Sequence, residues 1–280
     1  MIAPALLSVE DLHVRFDTPH GEVAAVRGVS FDVGRERVGL VGESGSGKSM
    51  TGRAILRLTP PMARVSAARL SLEGEDLRAA SPARMRAIRG RRISMVQQDP
   101  KFSLNPVMRV GDQVAESFLV HHRASKRVAR ERTLDMLAQV RIRDPKRVYD
   151  LYPHEVSGGM GQRIMIAMML IPEPALLIAD EPTSALDVTV RTQVLAILDD
   201  LVSSRGLGLL FISHDLNLVS TFCDRVLVMY AGRIVEQCAA SELRQARHPY
   251  TRGLLDSLPK LDAPRPRLPV LVRDPAWRDA

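Results

Sequence analysis

The sequence predicts a doubly wound α/β core organised around a phosphate-binding loop, and three observations carry that reading. Residues 38–49 read VGLVGESGSGKS: a short apolar strand runs into Gly42, Gly45 and Gly47, then Lys48 and Ser49, and residues 50–58 can continue as a helix. The stretches LLIAD and LGLLFIS are apolar throughout, as strands are when both faces of a sheet are covered. From residue 159 onward helical and strand patterns alternate, which is the pattern of an α/β sheet rather than of separate all-α and all-β parts.

Taken in order, residues 7–16 place Leu7, Val9, Leu12, Val14 and Phe16 in the pattern of a strand. Gly21 marks a turn, and residues 23–33 read as a further strand pair with polar interruptions. The glycine loop and its helix follow. Short strands at 70–73 and 93–96 flank a basic helix at 82–89. Residues 110–147 are helical and charged and interrupt the alternation, so they read as an inserted helical subdomain, with Asp144-Pro145 ending a helix. Then come a helix at 159–171, a strand at 175–179, a helix at 188–203, a strand at 208–213, a helix at 216–223 and strands at 225–230 and 233–236. The segment from Pro259 is rich in Pro and Arg and reads as an extended or mobile extension.

Composition narrows the function classes. The 280 residues are 45% hydrophobic and 25% charged, enough to bury a sizeable core. Two cysteines, Cys223 and Cys238, are too few for a disulfide framework or a C-x-x-C site, so a reducing cytoplasmic setting is expected. The first residues lack a basic n-region and meet Glu10 and Asp11, unlike a signal peptide. No apolar run approaches the ~18 residues that a spanning helix needs; the most apolar stretch, 164–179, is broken by Pro172, Glu173 and Pro174. The net charge of +7 comes largely from arginines spread over 84–92 and 123–147 without interleaved aromatics. That pattern is a solvated helical face rather than a nucleic-acid surface, with anionic lipid headgroups a secondary use.

The chemistry sits in a few residues. In the loop, glycines let backbone N–H groups turn toward phosphate oxygens at a helix N-terminus. Lys48 can reach the β- and γ-phosphates, and Ser49 offers a hydroxyl to Mg²⁺. The strand ALLIADE ends in Asp180, a candidate Mg²⁺ ligand, and Glu181, placed to polarise a water for attack on the γ-phosphate. Ser157, Gly158 and Gly159 open a long apolar helix and form a second potential phosphate site. Gln98 and His214 each follow a strand, at the end where α/β ligands bind.

The order GESGSGKS, QQDP, SGGMGQR, LLIADEPTSALD and ISHD closely resembles the ATP-binding-cassette (ABC) ATPases over residues 7–236. The resemblance implies a P-loop NTPase core with an N-terminal antiparallel β subdomain and an inserted α-helical subdomain at about 100–155, within a nucleotide-binding domain of 1–240. It implies that Gly42, Glu43, Ser44, Gly45, Ser46, Gly47, Lys48, Ser49 and Met50 hold ATP. Ser49, Gln98 and Asp180 would serve Mg²⁺, with Glu181, His214 and Lys48 catalytic. Ser157, Gly158, Gly159 and Gln162 would be the signature that contacts ATP held by a partner cassette, and 184–187 the D-loop, ending in Asp187. Phe16 is a candidate for stacking on adenine, with a core Phe as the competing reading.

A finer resemblance lies in QDPKFSLNPVMRVGDQVAE, YPHEVSGGMGQR, VMYAGRIVE and His248-Pro249-Tyr250-Thr251, which look like the peptide/nickel importer branch of the family. In that branch two different ATPase subunits pair beneath two membrane permeases fed by an extracytoplasmic solute-binding protein. The chain is thus expected at the cytoplasmic face of the membrane as a peripheral subunit, coupled to no nucleic acid. Residues 241–280 correspond to the branch's C-terminal extension. Peptide, nickel-chelate, opine and oligosaccharide importers share these motifs, and a soluble non-transport ABC ATPase is the contrasting class. Gln97, Val156 and Gly161 depart from the usual pattern, Gly161 within the signature itself. With no cysteine after Cys238, no iron–sulfur cluster is expected in the extension.

Overall fold

The computed structural model describes residues 5–19, 21–97, 103–184, 186–258, 271 and 273–278. The chain divides into two compact units, Met1–Ala79 with Leu210–Ala280, and Ala80–Leu209.

The first unit contains an antiparallel sheet and part of a parallel one. Strand β1 (Leu7–Thr18) pairs with β2 (Gly21–Val33) from Leu7↔Val33 to Thr18↔Gly21. On its other side it meets β4 (Ala63–Ser66) and β5 (Arg69–Leu72), and β5 pairs with β6 (Glu75–Asp76). The strand pair expected over 23–33 is a single strand. Leu12 faces Val29 and His13 faces Arg27, so Gly28 is the extra residue of a bulge, which absorbs the polar interruption without ending the strand. Leu12, Val14, Val26, Val29 and Val33 are fully buried on the inner face.

Strand β3 (Arg37–Val41) runs parallel to β10 (Arg225–Tyr230), which turns antiparallel into β11 (Arg233–Ala239); β9 (Gly208–Ser213) lies on the other side of β3. Every residue of β9 is buried, as expected of a strand covered on both faces. Helix α1 (Lys48–Ile55) leaves the glycine loop.

The second unit joins helix α2 (Pro82–Ile88) to a parallel pair, β7 (Ile93–Val96) and β8 (Leu176–Asp180). Its helices are α3 (Val110–Leu119), α4 (Lys126–Gln139), α5 (Pro145–Tyr149), α6 (Gly158–Leu170) and α7 (Val188–Arg205). Val110, Val114, Leu137, Val140 and Ile164 form their dry interior. The first unit adds α8 (Leu216–Phe222) and α9 (Pro249–Asp256).

Capping sets most of the helix starts. Ser81, Ser125, Asp144, Ser157, Asp187 and Asp215 each accept a bond from the N–H three residues on, which satisfies a donor the helix leaves open. Asp144-Pro145 therefore begins a helix rather than ending one: the aspartate is the cap and the proline occupies the first turn, where its missing N–H costs nothing. Residues 259–270 of the expected extension lie outside the described residues. Among the described residues no helix is long and apolar enough to cross a membrane.

One buried amide organises the start of the helical part. Gln113, only 5% exposed, accepts from the Asn105 N–H at 2.8 Å and donates to the carbonyls of Asn105 and Met108 at 2.9 and 3.0 Å. Gln113→Leu should strip all three backbone groups of their partner at once. The expected loss is about 1–3 kcal/mol of stability in denaturant unfolding, with faster amide exchange at Asn105. Unchanged protection at Asn105 would show that the loop is held by something else.

Candidate functional site

The glycine loop is built from below by β3 and β10. Val38, Leu40 and Val41 are fully buried, so the strand delivers Gly42 to a fixed point. There the backbone passes so close to its supports that side chains are excluded. A Cβ on Gly42 would collide with the Met229 carbonyl oxygen, and one on Gly47 with the Ala25 carbonyl oxygen. The hairpin turn at Ala231-Gly232, with φ of 46° and 87°, supplies a further brace. Its Gly232 N–H donates to the Ser46 carbonyl at 3.0 Å, and the Gly232 carbonyl accepts from the Arg27 N–H at 2.8 Å.

Within this frame Lys48 is 4% exposed, and its Nζ donates to the carbonyls of Gly42 at 2.8 Å and Glu43 at 2.9 Å. The ammonium thus lies in the hollow of the loop, on the first residue of the helix that follows. The Ser46 hydroxyl is buried and has no hydrogen-bond partner among the described residues. Helix α1 begins on Gly47, at φ 105°, without a side-chain cap. An orphaned hydroxyl, an uncapped helix start and a buried cation together fit a polyanionic phosphate. Ser44 and Gly45 are exposed at the tip of the loop, and Glu43, Ser49 and Met50 are half-buried.

The C-terminal segment adds residues whose role the sequence reading did not assign. The Glu43 N–H donates to the Tyr250 hydroxyl at 3.2 Å, and Arg273 donates to the Glu43 carboxylate at 2.8 Å. His-Pro-Tyr was legible as a branch motif. Nothing in its local pattern says that the tyrosine turns back some two hundred residues to the phosphate loop.

The carboxylates belong to the second unit. Asp180 closes β8 and is 5% exposed. Glu181 follows at φ 46°, a left-handed conformation that a non-glycine residue adopts only when its surroundings enforce it. Its carbonyl accepts from the Ser184 N–H at 3.3 Å and hydroxyl at 3.1 Å, so the turn that aims the side chain is tied down.

At the start of α6, Ser157 and Gly158 are exposed and Gly159 half-buried. Ser157 Oγ accepts from the Met160 N–H at 3.3 Å. Two of the expected nucleotide contacts also bond within the chain. Gln162 is 1% exposed and its amide donates to the Pro182 carbonyl at 2.6 Å, so it braces the turn after Glu181. Asp187 accepts from the Val190 N–H at 3.0 Å and caps α7. His214 is exposed just beyond β9, next to Asp215, which caps α8. Phe16 is half-exposed where β1 meets Val23 and Ala63, which removes it from the core. Gln98, and Ala185 in the D-loop stretch, lie outside the described residues.

Comparison with known proteins gives a consistent family. A family model described as ABC transporter matches residues 26–184. The dipeptide transport ATP-binding protein DppD of Bacillus subtilis is 49% identical over 260 residues, 92% of this chain and 78% of that protein. The oligopeptide transport ATP-binding protein OppD of the same organism is 47% identical over 261 residues, 92% and 73% of the two chains. A solved dimeric post-hydrolysis structure of the ATP-binding cassette MJ0796, bound to ADP and Pi, superposes with a TM-score of 0.75. It is 24% identical and covers 84% of this chain and 98% of that one, a likeness of fold.

The loop's two inner supports make its glycines unequal. Gly45 has open space around it at φ 82°, so Gly45→Ala carries backbone strain alone, about 1–3 kcal/mol. Gly47→Ala adds a collision with a carbonyl that cannot swing away, about 1–3 kcal/mol more. Thermal unfolding and fluorescent-ATP titration should both rank Gly47→Ala as the more damaging. Equal losses would mean that the loop yields at Ala25.

Proposed function

The chain belongs to the ABC transporter family, and from that premise we propose that it is the ATP-hydrolysing subunit of an importer for peptides or a related small solute. The observation that carries the ATP-binding half of the reading is the loop, a buried ammonium held on two carbonyls beside an orphaned hydroxyl, with room for nothing but backbone at Gly42 and Gly47; the importer half is supported by the likeness to DppD and OppD.

Each residue then has a task. Lys48 offers N–H donors to the β- and γ-phosphate oxygens, and the loop amides and Ser46 hydroxyl share the remaining charge. Ser49 and Asp180 are hard oxygen donors suited to Mg²⁺, which when bound neutralises charge on the phosphate oxygens; Gln98 joins them by position. Glu181, aimed by its enforced turn, accepts a proton from the attacking water, and His214 steadies the γ-phosphate. Phe16, half-buried on β1, stacks on the adenine. Ser157, Gly158 and Gly159 present an exposed helix start to the ATP of a second cassette.

The partners follow from the family. A second ATPase subunit, a different chain, closes against this one around two ATP molecules. Two membrane permeases take up the resulting movement, and an extracytoplasmic solute-binding protein delivers cargo to them. The chain works at the cytoplasmic face of the membrane, and the cargo itself never touches it.

Glu181→Gln keeps the shape of the side chain and removes the base. MgATP affinity should stay within about threefold while steady-state hydrolysis falls about 10²- to 10⁴-fold. Near-normal turnover would overturn the catalytic assignment. Purification of the tagged chain from solubilised membranes should bring down two multi-span permeases and a second cassette. A purely soluble set of nucleic-acid or ribosomal partners would overturn the importer.

A further inference from the structure

Outside the residues already assigned, the first unit contains a cluster of aromatic side chains directly behind the phosphate loop. Tyr250, at the start of α9, is fully buried. Its ring centroid lies 4.4 Å from that of Tyr230, on the strand that supports the loop, and 6.4 Å from that of Trp277. Trp277 also stands edge-on to Tyr230 at 6.2 Å and to His248 at 6.1 Å.

The approach of Tyr250 is fixed at several points. Glu236 accepts from the backbone N–H groups of Arg247 at 2.5 Å and His248 at 3.3 Å. His248 Nδ1 accepts from the Tyr250 N–H at 3.2 Å, and Pro249 sets the first helical turn. What this arrangement presents to the loop is one hydroxyl, 3.2 Å from the Glu43 nitrogen. The next carbonyl along, that of Glu43, is one of the two that hold the Lys48 ammonium. Glu43 is therefore gripped through its N–H by Tyr250 and through its carbonyl by Lys48. Arg273, near the end of the described chain, grips its side chain as well.

We propose that Tyr250 is a positioning residue for nucleotide binding, holding Glu43 so that Lys48 stays where phosphate meets it, with Arg273 and Trp277 forming a strap that reinforces the hold. The inference rests on the reading of this loop as the ATP site. Burial pushes the Tyr250 hydroxyl up to about 12, so it stays neutral over any working pH and the hold does not titrate. The Arg273–Glu43 pair is exposed on the arginine side and contributes little alone. The hydroxyl is the element that matters.

The test uses the full chain and MgATP. Tyr250→Phe keeps the ring and removes the hydroxyl. The dissociation constant measured by titration calorimetry should rise about three- to tenfold, and KM should rise with kcat within about twofold, the signature of lost binding shared by ground and transition states. A filler tyrosine would leave the affinity unchanged, and an affinity within about twofold of the wild type overturns the proposal. Trp277 is the only tryptophan of the chain, so its emission reports on the strap. Saturating MgATP should change that emission; no change would mean that the strap does not sense the loop. Should Tyr250→Phe fail to fold, Arg273→Ala, at an exposed position, decides. It should weaken MgATP binding about twofold at low salt and not at high salt, and identical binding at low salt overturns the strap. A wild-type chain that binds no MgATP would instead sink the nucleotide-site reading itself.

Discussion

Lys48 Nζ bonded to the carbonyls of Gly42 and Glu43 is the interaction that the rest of the first unit is arranged to allow. A buried ammonium costs several kcal/mol unless its donors are met, and here the chain meets two of them with its own backbone. That solution demands that the loop curl tightly around the side chain, which in turn demands glycine at Gly42 and Gly47, where carbonyls of Met229 and Ala25 lie in the path of any Cβ. The Met229 carbonyl is fixed because β10 runs in register with β3, and the turn at Ala231-Gly232 is fixed because it both feeds the Ser46 carbonyl and receives Arg27. The antiparallel strand β2, distant in function, is thus a structural neighbour of the phosphate loop.

In the second unit the corresponding constraint is a turn. Glu181 takes a left-handed conformation that costs about 1 kcal/mol or more for a residue with a Cβ. Three features hold it there: the buried strand ending in Asp180, the two hydrogen bonds that Ser184 donates to the Glu181 carbonyl, and the Gln162 amide on the Pro182 carbonyl. Gln162 thus connects the helix that starts at Ser157 with the turn that aims Glu181. The same amide that the family pattern places in the signature is, within this chain, a brace on the carbonyl next to Glu181.

Much of this was legible because the physical signals were local. A strand buried on both faces reads as an apolar run, and a loop that must pass close to other backbone reads as glycine. The carboxylates announce themselves at the end of such a run. What escaped depends on partners far along the chain or on ambiguous local chemistry. The stretch 23–33 reads as two strands until the pairing of Leu12 and His13 shows Gly28 to be one extra residue in a single strand. Asp-Pro is equally at home after a helix or at its first turn, and only the bond from Arg147 to Asp144 decides. The burial of Gln113 and Gln162 on backbone carbonyls has no local signal in the sequence, because those carbonyls are brought to them by the fold. Asp187, placed by the family pattern at the end of the D-loop, also caps the next helix, a task that its position before an apolar run could have shown.

The C-terminal segment extends the same logic to the hold on the loop. An exposed Arg–Glu pair contributes at most about 1 kcal/mol, so Arg273 could not keep its end of the chain against unit 1 by charge alone. Packing of the buried Tyr250 ring, tilted on Tyr230, and of the half-buried Trp277 ring, edge-on to both, supplies the larger share, because aromatic rings bring both area and favourable geometry. Tyr230 lies at the end of β10, immediately before the turn that supports Ser46, so packing on its ring and bonding to Glu43 act on the two walls of one loop. A phosphate loop whose carbonyls must face a buried ammonium has little freedom to set its own curvature, and holding it from both walls is what keeps that curvature fixed.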